Sequence, residues 1–407
     1  MRQVSIIALM ASVAAFVASP FVASPASAQM VAYEGARVIV GNGNVLDTAT
    51  IVVDGARIIA VGPYVSPPQG ARRVNLAGKT VMPMIIDTHV HLSTTREALI
   101  NDLKRRAYFG VSAALSMGTD NLELLALRTE NIAGAARFFS AGQGLSRTEP
   151  GRPTAQINSE EEARKAVRDN AARKVDIIKF WVDDREGKVQ KITPPQYAAI
   201  IEEAKKANLR TTAHIFNMDD AKGLMRAGLD VFAHGVRDKD IDQETVDMFK
   251  ARPNIALIPN LPDRGVKVDR SWLRPGLPAA DFAKLEAENT DRPKAQEAYG
   301  IQARNLAKLN AAGVRITMGT DGNRAWGPHE EMEDMVVAGM TPAQVLTSAT
   351  RNGAELLRID NAGTVESGKN ADFIVLDANP LDDIKNTRKI SAVYLRGVAV
   401  DRSKPIP

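Results

Sequence analysis

The sequence predicts an α/β fold, namely a (β/α)8 TIM-like barrel with a small β-sandwich domain formed from both termini. Through the middle of the chain, apolar strand-like segments alternate with amphipathic helical stretches, which is typical of parallel βαβ units. Eight such strand segments occur, and eight βα repeats close naturally into a barrel. At both ends, short β-branched segments separated by turns indicate an antiparallel sheet instead.

The composition is that of a soluble globular protein, with 44% hydrophobic and 25% charged residues among 407. A formal charge of +4 without a basic block predicts no nucleic-acid partner. The chain contains no cysteine. Disulfides and thiolate metal sites are therefore excluded, and histidines and carboxylates remain as metal ligands.

The N-terminus predicts a signal peptide over residues 1–28. Arg2 precedes an apolar run from Val4 to Ala18, and Ser24–Ala28 ends in an A-x-A pattern. The run is short for a membrane span. We therefore expect cleavage after Ala28 and a secreted or periplasmic mature enzyme that is not membrane-bound; the alternative is a retained N-terminal anchor.

The two ends of the chain, residues 29–80 and 364–407, predict the small domain. Ala36–Val40 and Thr50–Gly62 are β-rich and are accompanied by Asn-Gly and Asp-Gly turns, which favour hairpins. The same pattern of short β-rich segments occurs again between Ala371 and Val398. One sheet domain built from both termini is the simplest interpretation.

The barrel is predicted over residues 81–363. Its strand candidates are Met84–His91, Ser112–Met117, Arg137–Ala141, Asp176–Phe180, Arg210–Ile215, Val231–Val236, Ile255–Asn260 and Arg315–Gly319. One connection is unusually long: a proline-rich loop, Pro262–Pro278, precedes a helical stretch predicted over Phe282–Ala312. Such a loop is either a lid over the substrate or a surface or subunit contact.

Four of the five histidines lie at predicted strand ends. His89 and His91 end strand one and, being two residues apart, point to the same side. His214 and His234 end strands five and six, and Asp321 follows strand eight. Because barrel chemistry occurs at the C-terminal strand ends, these side chains predict a metal site.

Imidazoles and a carboxylate without thiolates suit a divalent ion such as Zn²⁺, which activates water. Asp321 is the candidate catalytic residue, which takes a proton from that water and delivers it to the leaving group. Lys179 ends strand four. From the residues alone, Lys179 is better explained as a salt-bridged or snorkelling side chain, because an ammonium beside metal ions is unfavourable.

These residues together resemble the metal-dependent amidohydrolase superfamily, and most closely its imidazolonepropionase-like and Xaa-Pro dipeptidase-like bacterial members. The segments that carry the resemblance are Met82–His91, Lys179, His214, Ala233–Gly235, Gly319–Asp321 and Gly363–Phe373.

The resemblance implies two divalent metal ions, with Zn²⁺ expected. It implies that Lys179 is carbamylated and bridges them, that His89, His91 and Asp321 hold one ion, and that His214 and His234 hold the other. A bridging hydroxide would then attack the substrate's carbonyl.

The chain departs from many relatives around the substrate. The glycine-rich segment Gly142–Arg152 lacks histidine, and no tyrosine closely follows His214 or His234. The candidate substrate-binding residues on the predicted catalytic face are Arg147, Trp181, Arg237, Asn260 and His329. For each of them, an ordinary surface or packing role is the alternative.

The expected function is hydrolysis of an amide bond in a small molecule: a peptide-like compound, an N-acyl amino acid or an amide-linked xenobiotic. The alternative within the enzyme class is hydrolysis of an ester, a lactone or a cyclic amide. The alternative from another class is a non-catalytic scaffold or binding protein. We also expect a homo-oligomer.

Overall fold

A computed structural model describes residues 30–404. The predicted signal peptide lies outside this range. Within it, no helix combines the length and the apolar character needed to cross a membrane.

Eighteen strands occur within the described range. They are β1 (Val31–Ile39), β2 (Val45–Asp54), β3 (Arg57–Gly62), β4 (Arg72–Asn75), β5 (Thr80–Pro83), β6 (Ile85–Val90), β7 (Val111–Ser116), β8 (Arg137–Ser140), β9 (Leu145–Ser146), β10 (Ala155–Gln156), β11 (Ile178–Val182), β12 (Thr211–Ile215), β13 (Val231–Phe232), β14 (Ala256–Leu257), β15 (Arg315–Ile316), β16 (Phe373–Leu376), β17 (Ile390–Leu395) and β18 (Val398–Ala399).

Ten α-helices accompany these strands in the described range. They are α1 (Arg96–Tyr108), α2 (Glu160–Ala172), α3 (Pro194–Lys206), α4 (Met218–Ala227), α5 (Gln243–Lys250), α6 (Ala279–Ala287), α7 (Pro293–Ala311), α8 (Gly327–Val337), α9 (Pro342–Ala349) and α10 (Arg351–Leu357). Short 3-10 helices cover Leu122–Thr129, Ser271–Gly276 and Ile384–Arg388.

Strands from both ends of the chain form one eight-stranded sheet. β1 pairs antiparallel with β2 and parallel with β4 and β5, and β16 pairs antiparallel with β5. An apolar cluster that includes Tyr33 and Phe373 fills its interior. Because β5 ends at Pro83, the sheet extends three residues past the predicted boundary at residue 80. That the domain containing this sheet is a β-sandwich stays a prediction.

The middle of the chain forms two parallel sheets, one of β6, β7 and β8 and one in the order β10-β9-β11-β12-β13-β14-β15. All eight predicted strand segments overlap an observed strand. Three are much shorter than predicted, since β13, β14 and β15 have two residues each. After these short strands the backbone no longer pairs with the neighbouring strands. His234, Asn260 and Asp321 therefore lie on loops.

The helical stretch predicted over Phe282–Ala312 is helical for most of its length, but it is divided into two separate helices, α6 and α7. Pro293 starts α7, as suits a residue without a backbone N–H. In the break, Asn289 accepts a hydrogen bond from Val268 N (2.9 Å) and donates one to Val268 O (2.7 Å). The helices are thereby fastened to the loop Pro262–Pro278, whose Leu273 packs in an apolar cluster with Phe109.

Candidate metal centre

Asp321 lies at the middle of a cluster of imidazoles. Its Oδ1 is 3.1 Å from Nε2 of both His89 and His91, and its Oδ2 is 3.4 Å from Nε2 of His234. The rings of His214 and His234 are 4.6 Å apart between centroids. The four strand-end histidines and Asp321 thus meet at one place, as the sequence predicted.

Lys179 completes the set of predicted ligands. It lies in β11 with 1% of its surface exposed, and its Nζ has no hydrogen-bond partner. Burial lowers the pKa of Lys179 to about 7, against the attraction of Asp321, which raises it. A buried amine that is partly neutral at pH 7 is unusual for lysine, whose ordinary pKa is about 10.4.

The cluster contains buried nitrogens that no protein group satisfies. Nε2 of His89, Nε2 of His234 and Nζ of Lys179 all lack hydrogen-bond partners. Burial, reinforced by the charge of Lys179, lowers the pKa of His89 to about 3, and burial lowers the pKa of His214 to about 4. These rings are therefore neutral at pH 7, the form in which imidazole binds a metal.

Asp321 supplies the matching negative charge. Burial alone would raise its pKa, but the close imidazoles of His89, His91 and His234 hold it far below the usual range. The residues present, neutral imidazoles beside an ionised carboxylate, fit a divalent cation such as Zn²⁺.

Three of the four histidines have, at one ring nitrogen, a hydrogen-bond acceptor other than Asp321. His89 Nδ1 lies 2.9 Å from Asn260 Oδ1, and His91 Nδ1 lies 3.1 Å from Thr119 Oγ1. His214 Nε2 lies 3.1 Å from Asp183 Oδ2. When each ring donates there, its other nitrogen keeps the lone pair that a metal needs.

A buried ion pair holds the Asp321 loop against β6. Asp87 pairs with Arg106 at 3.0 Å and accepts hydrogen bonds from Thr320 N (3.2 Å) and Thr320 Oγ1 (2.9 Å). Arg106 also donates to Gly322 O (3.1 Å). The residues on both sides of Asp321 are therefore fixed to the strand that carries His89.

Three of the five predicted substrate-binding residues lie at this centre. The ring of Trp181 is 5.1 Å from Lys179 Nζ, and Nη2 of Arg237 is 2.7 Å from His234 Nδ1. Asn260 contacts His89 through Oδ1, so it orients a candidate ligand, while its buried Nδ2 lacks a partner.

The prediction for His329 is wrong. It is 1% exposed, and its ring nitrogens are engaged with Thr387 Oγ1 (3.1 Å) and Phe109 O (2.9 Å). Helix α8 begins two residues earlier, at Gly327, and carries this side chain into the protein interior. No ring nitrogen is left for a substrate.

Arg147 has partners in neighbouring loops. It donates to Asn158 O (3.1 Å) and to the side chain of Gln190. Its substrate role stays a prediction.

Several residues that surround the candidate ligands were not among the predicted site residues. Two of them could have been found from their spacing in the sequence. Asp87 lies two residues before His89, and Asp183 lies four residues after Lys179, so strand alternation places each on the side of a predicted ligand. A hydrogen bond from His214 lowers the pKa of Asp183 to about 2. Thr119, Arg106 and Arg152 come from other elements and had no such signal.

A polar cavity of about 350 Å³ opens beside Asp321. It lies between the loop that follows β14 and helix α8, and its lining includes Arg264, Arg270 and Glu330. Part of the loop Pro262–Pro278 therefore borders the candidate centre.

Comparison with known proteins relates this chain to one family of enzymes. Residues 80–400 match the Amidohydrolase family. The imidazolonepropionase of Streptomyces griseus is 24% identical over 363 residues, which cover 83% of this chain and 88% of that protein. The ochratoxinase of Aspergillus niger is 25% identical over 299 residues, which cover 70% of this chain and 57% of that protein. A structure described as a prolidase from Bifidobacterium longum superposes with a TM-score of 0.77 and 28% identity, over 93% of this chain and 96% of that chain.

Proposed function

This chain belongs to the amidohydrolase family and is a hydrolase, and from that premise we propose that it cleaves an amide bond in a small molecule with two bound divalent ions. Peptide-like compounds, N-acyl amino acids and amide-linked xenobiotics are the substrate classes. The observation that carries the proposal is the convergence of unpartnered buried nitrogens from His89 and His234 on the ionised carboxylate of Asp321. Its relatives named imidazolonepropionase, ochratoxinase and prolidase support amide chemistry.

In this proposal His89, His91 and Asp321 would hold one ion, and His214 and His234 would hold the other. Lys179, as a carbamate, would contribute to holding both. Support for the carbamate comes from the burial of Lys179, its unpartnered Nζ and a pKa lowered to about 7 by burial, because only a neutral amine can react with CO2. Zn²⁺ is the proposed metal because imidazole and carboxylate ligands without thiolates suit it.

When bound, the ions supply Lewis acidity, which lowers the pKa of water and polarises a carbonyl. The protein's own contribution to the proton transfer is Asp321. Its carboxylate is ionised at neutral pH, so it accepts a proton from the attacking water and passes it to the leaving nitrogen. The Asp87–Arg106 pair and the three imidazoles keep Asp321 in position during this transfer.

We also propose that the two parallel sheets close into one (β/α)8 barrel. Support comes from backbone hydrogen bonds at both junctions, from Asp176 N to Ser140 O (2.9 Å) and from Thr88 N to Met318 O (3.0 Å). A closed barrel brings the ends of β6, β11 and β12 around one axis. We further propose that the protein is exported, with cleavage after Ala28. We also propose that it forms a homo-oligomer.

The test is a hydrolysis screen of Zn²⁺-loaded protein against N-acyl amino acids, dipeptides, esters and lactones. We expect amides to be cleaved and the Lys179→Met variant, which cannot form a carbamate, to lose activity. Binding of ¹³C-labelled CO2, detected by NMR at the carbamate shift, should occur in the wild type and be absent from this variant. Full activity of metal-free protein, or cleavage of lactones alone, would overturn the proposal.

A further inference from the structure

The fourth histidine, His234, has a neighbour unlike those of the other three. Its Nδ1 lies 2.7 Å from Nη2 of Arg237. A guanidinium can only donate hydrogen bonds, so this contact requires the lone pair of the imidazole to be on Nδ1. The ring proton of His234 then lies on Nε2, the nitrogen that faces Asp321 at 3.4 Å.

This arrangement competes with a metal on His234. A cation at Nε2 needs the lone pair there, and the neutral ring must then carry its proton on Nδ1. Two N–H groups would face each other across 2.7 Å, which is repulsive. Arg237 must therefore turn away from His234 when the site is loaded.

Arg237 is poorly anchored in its present position. Its Nε is buried without a hydrogen-bond partner, and within residues 30–404 its guanidinium forms no ion pair at 4.0 Å or closer. The charges of Asp321 and Asp183 stabilise this guanidinium from beyond ion-pair distance and offset only part of the effect of burial, which lowers its pKa. A half-buried guanidinium with no carboxylate in direct contact is costly, and it is well suited to bind an anion that arrives with the substrate.

A second guanidinium lies close by. The guanidinium of Arg152 lies 4.3 Å from the ring centroid of Trp181, and Lys179 Nζ lies 5.1 Å from a ring centroid of the same side chain. The charges of Arg237 and Arg152 both contribute to the lowered pKa of Lys179, which is mainly an effect of burial. The centre thus has two cationic side chains beside it, and Arg152 already shares its charge with Glu149 (3.0 Å).

We propose that Arg237 is a specificity-determining residue that leaves His234 when the metal site is loaded and binds a carboxylate of the substrate, with Arg152 as a second cation beside it. The inference rests on the proposed function and narrows its substrate class to amides that carry a free carboxylate.

The first arm of the test measures metal binding without turnover. Arg237→Met removes the donor and keeps a side chain of similar length, and Arg226→Met, an exposed arginine on α4, is the matched control for charge. Chelator competition should show about tenfold tighter Zn²⁺ binding in Arg237→Met, the effect of losing one competing hydrogen bond. Unchanged or weaker Zn²⁺ binding would overturn the competition with His234.

The second arm compares N-acetyl-leucine with N-acetyl-leucine amide. In the Zn²⁺-loaded Arg237→Met variant, KM for the acid should rise about 10- to 100-fold, as expected for a lost charge-assisted hydrogen bond, and KM for the neutral amide should stay within about twofold. An equal change for both compounds, or none for either, would overturn the proposal.

The two proposals can fail separately. If the wild type hydrolyses no amide in the substrate screen, the proposed function fails, and calorimetric binding of N-acetyl-leucine still tests Arg237. Binding that is lost in Arg237→Met but retained in Arg226→Met would uphold the inference. If the acid and the amide are hydrolysed equally well by both proteins, the function stands and the inference falls.

Discussion

Replacement of Asn260 by leucine should weaken metal binding, although Asn260 is not itself a candidate ligand. Asn260 Oδ1 is 2.9 Å from Nδ1 of His89 and is the acceptor that keeps the proton on that nitrogen. His89 has no solvent exposure, so water cannot replace the lost acceptor. The Nε2 lone pair of His89 would then no longer be fixed for the metal.

The magnitude follows from the buried hydrogen bond. An unsatisfied buried donor costs about 1–3 kcal/mol, which corresponds to roughly 5- to 150-fold in affinity. Loss of an outer partner of a metal-bound histidine typically costs about 10–100-fold in affinity. We therefore expect Asn260→Leu to bind Zn²⁺ about 10- to 100-fold more weakly in a chelator competition assay.

Backbone strain must be separated from this effect. Asn260 has a φ of 43°, a left-handed conformation that asparagine tolerates better than leucine. Asn208 is an exposed asparagine with a φ of 55°, so Asn208→Leu carries similar strain away from the centre. Asn260→Asp keeps the acceptor and should bind Zn²⁺ nearly as the wild type does. Wild-type affinity in Asn260→Leu, or an equal loss in Asn208→Leu, would refute the reasoning.

Three further predictions concern the catalytic carboxylate, the buried ion pair and His329. Asp321→Asn should lower kcat by about 10²–10⁴-fold, the contribution typical of a positioned acid or base, with circular dichroism unchanged; a smaller loss would remove its proposed role. Arg106→Met should lower the free energy of unfolding by about 3–5 kcal/mol because it leaves a buried carboxylate unpaired. Arg96→Met removes the exposed ion pair between Arg96 and Glu130 (2.7 Å) and should have a much smaller effect; equal effects of the two variants in urea denaturation would contradict this. Burial lowers the folded-state pKa of His329 to about 3 from an ordinary 6.5. Between these values the unfolded chain binds more protons than the folded protein, so the free energy of unfolding decreases as the pH is lowered. Metal-free His329→Gln should therefore show a shallower loss of stability from pH 6.5 to 3 than the metal-free wild type, and its loaded form should keep the wild-type kcat/KM.

The sequence was informative where chemistry follows local periodicity. The eight strand segments and the placement of His89, His91, His214, His234 and Asp321 at their ends could be predicted because strand alternation and apolar runs are local properties. The break between α6 and α7 had a signal in Pro293, which the helical pattern on both sides obscured.

Other features depend on neighbours that are distant in the chain. His329 lies eight residues after Asp321, and only the packing of α8 against Phe109 and Thr387 shows that it faces the interior. Asn260 and His89 are 171 positions apart. The contact of Arg237 with His234 is local, but the direction of a guanidinium cannot be read from spacing.

The metal content of the purified protein tests the central claim most directly. After reconstitution with Zn²⁺ and bicarbonate and removal of loosely bound ions, elemental analysis should find about two ions per chain, the stoichiometry of a two-metal hydrolase. The Lys179→Met variant should retain about one or fewer. A fully active wild-type protein with no bound metal, or a Lys179→Met variant that retains both ions, would contradict the account.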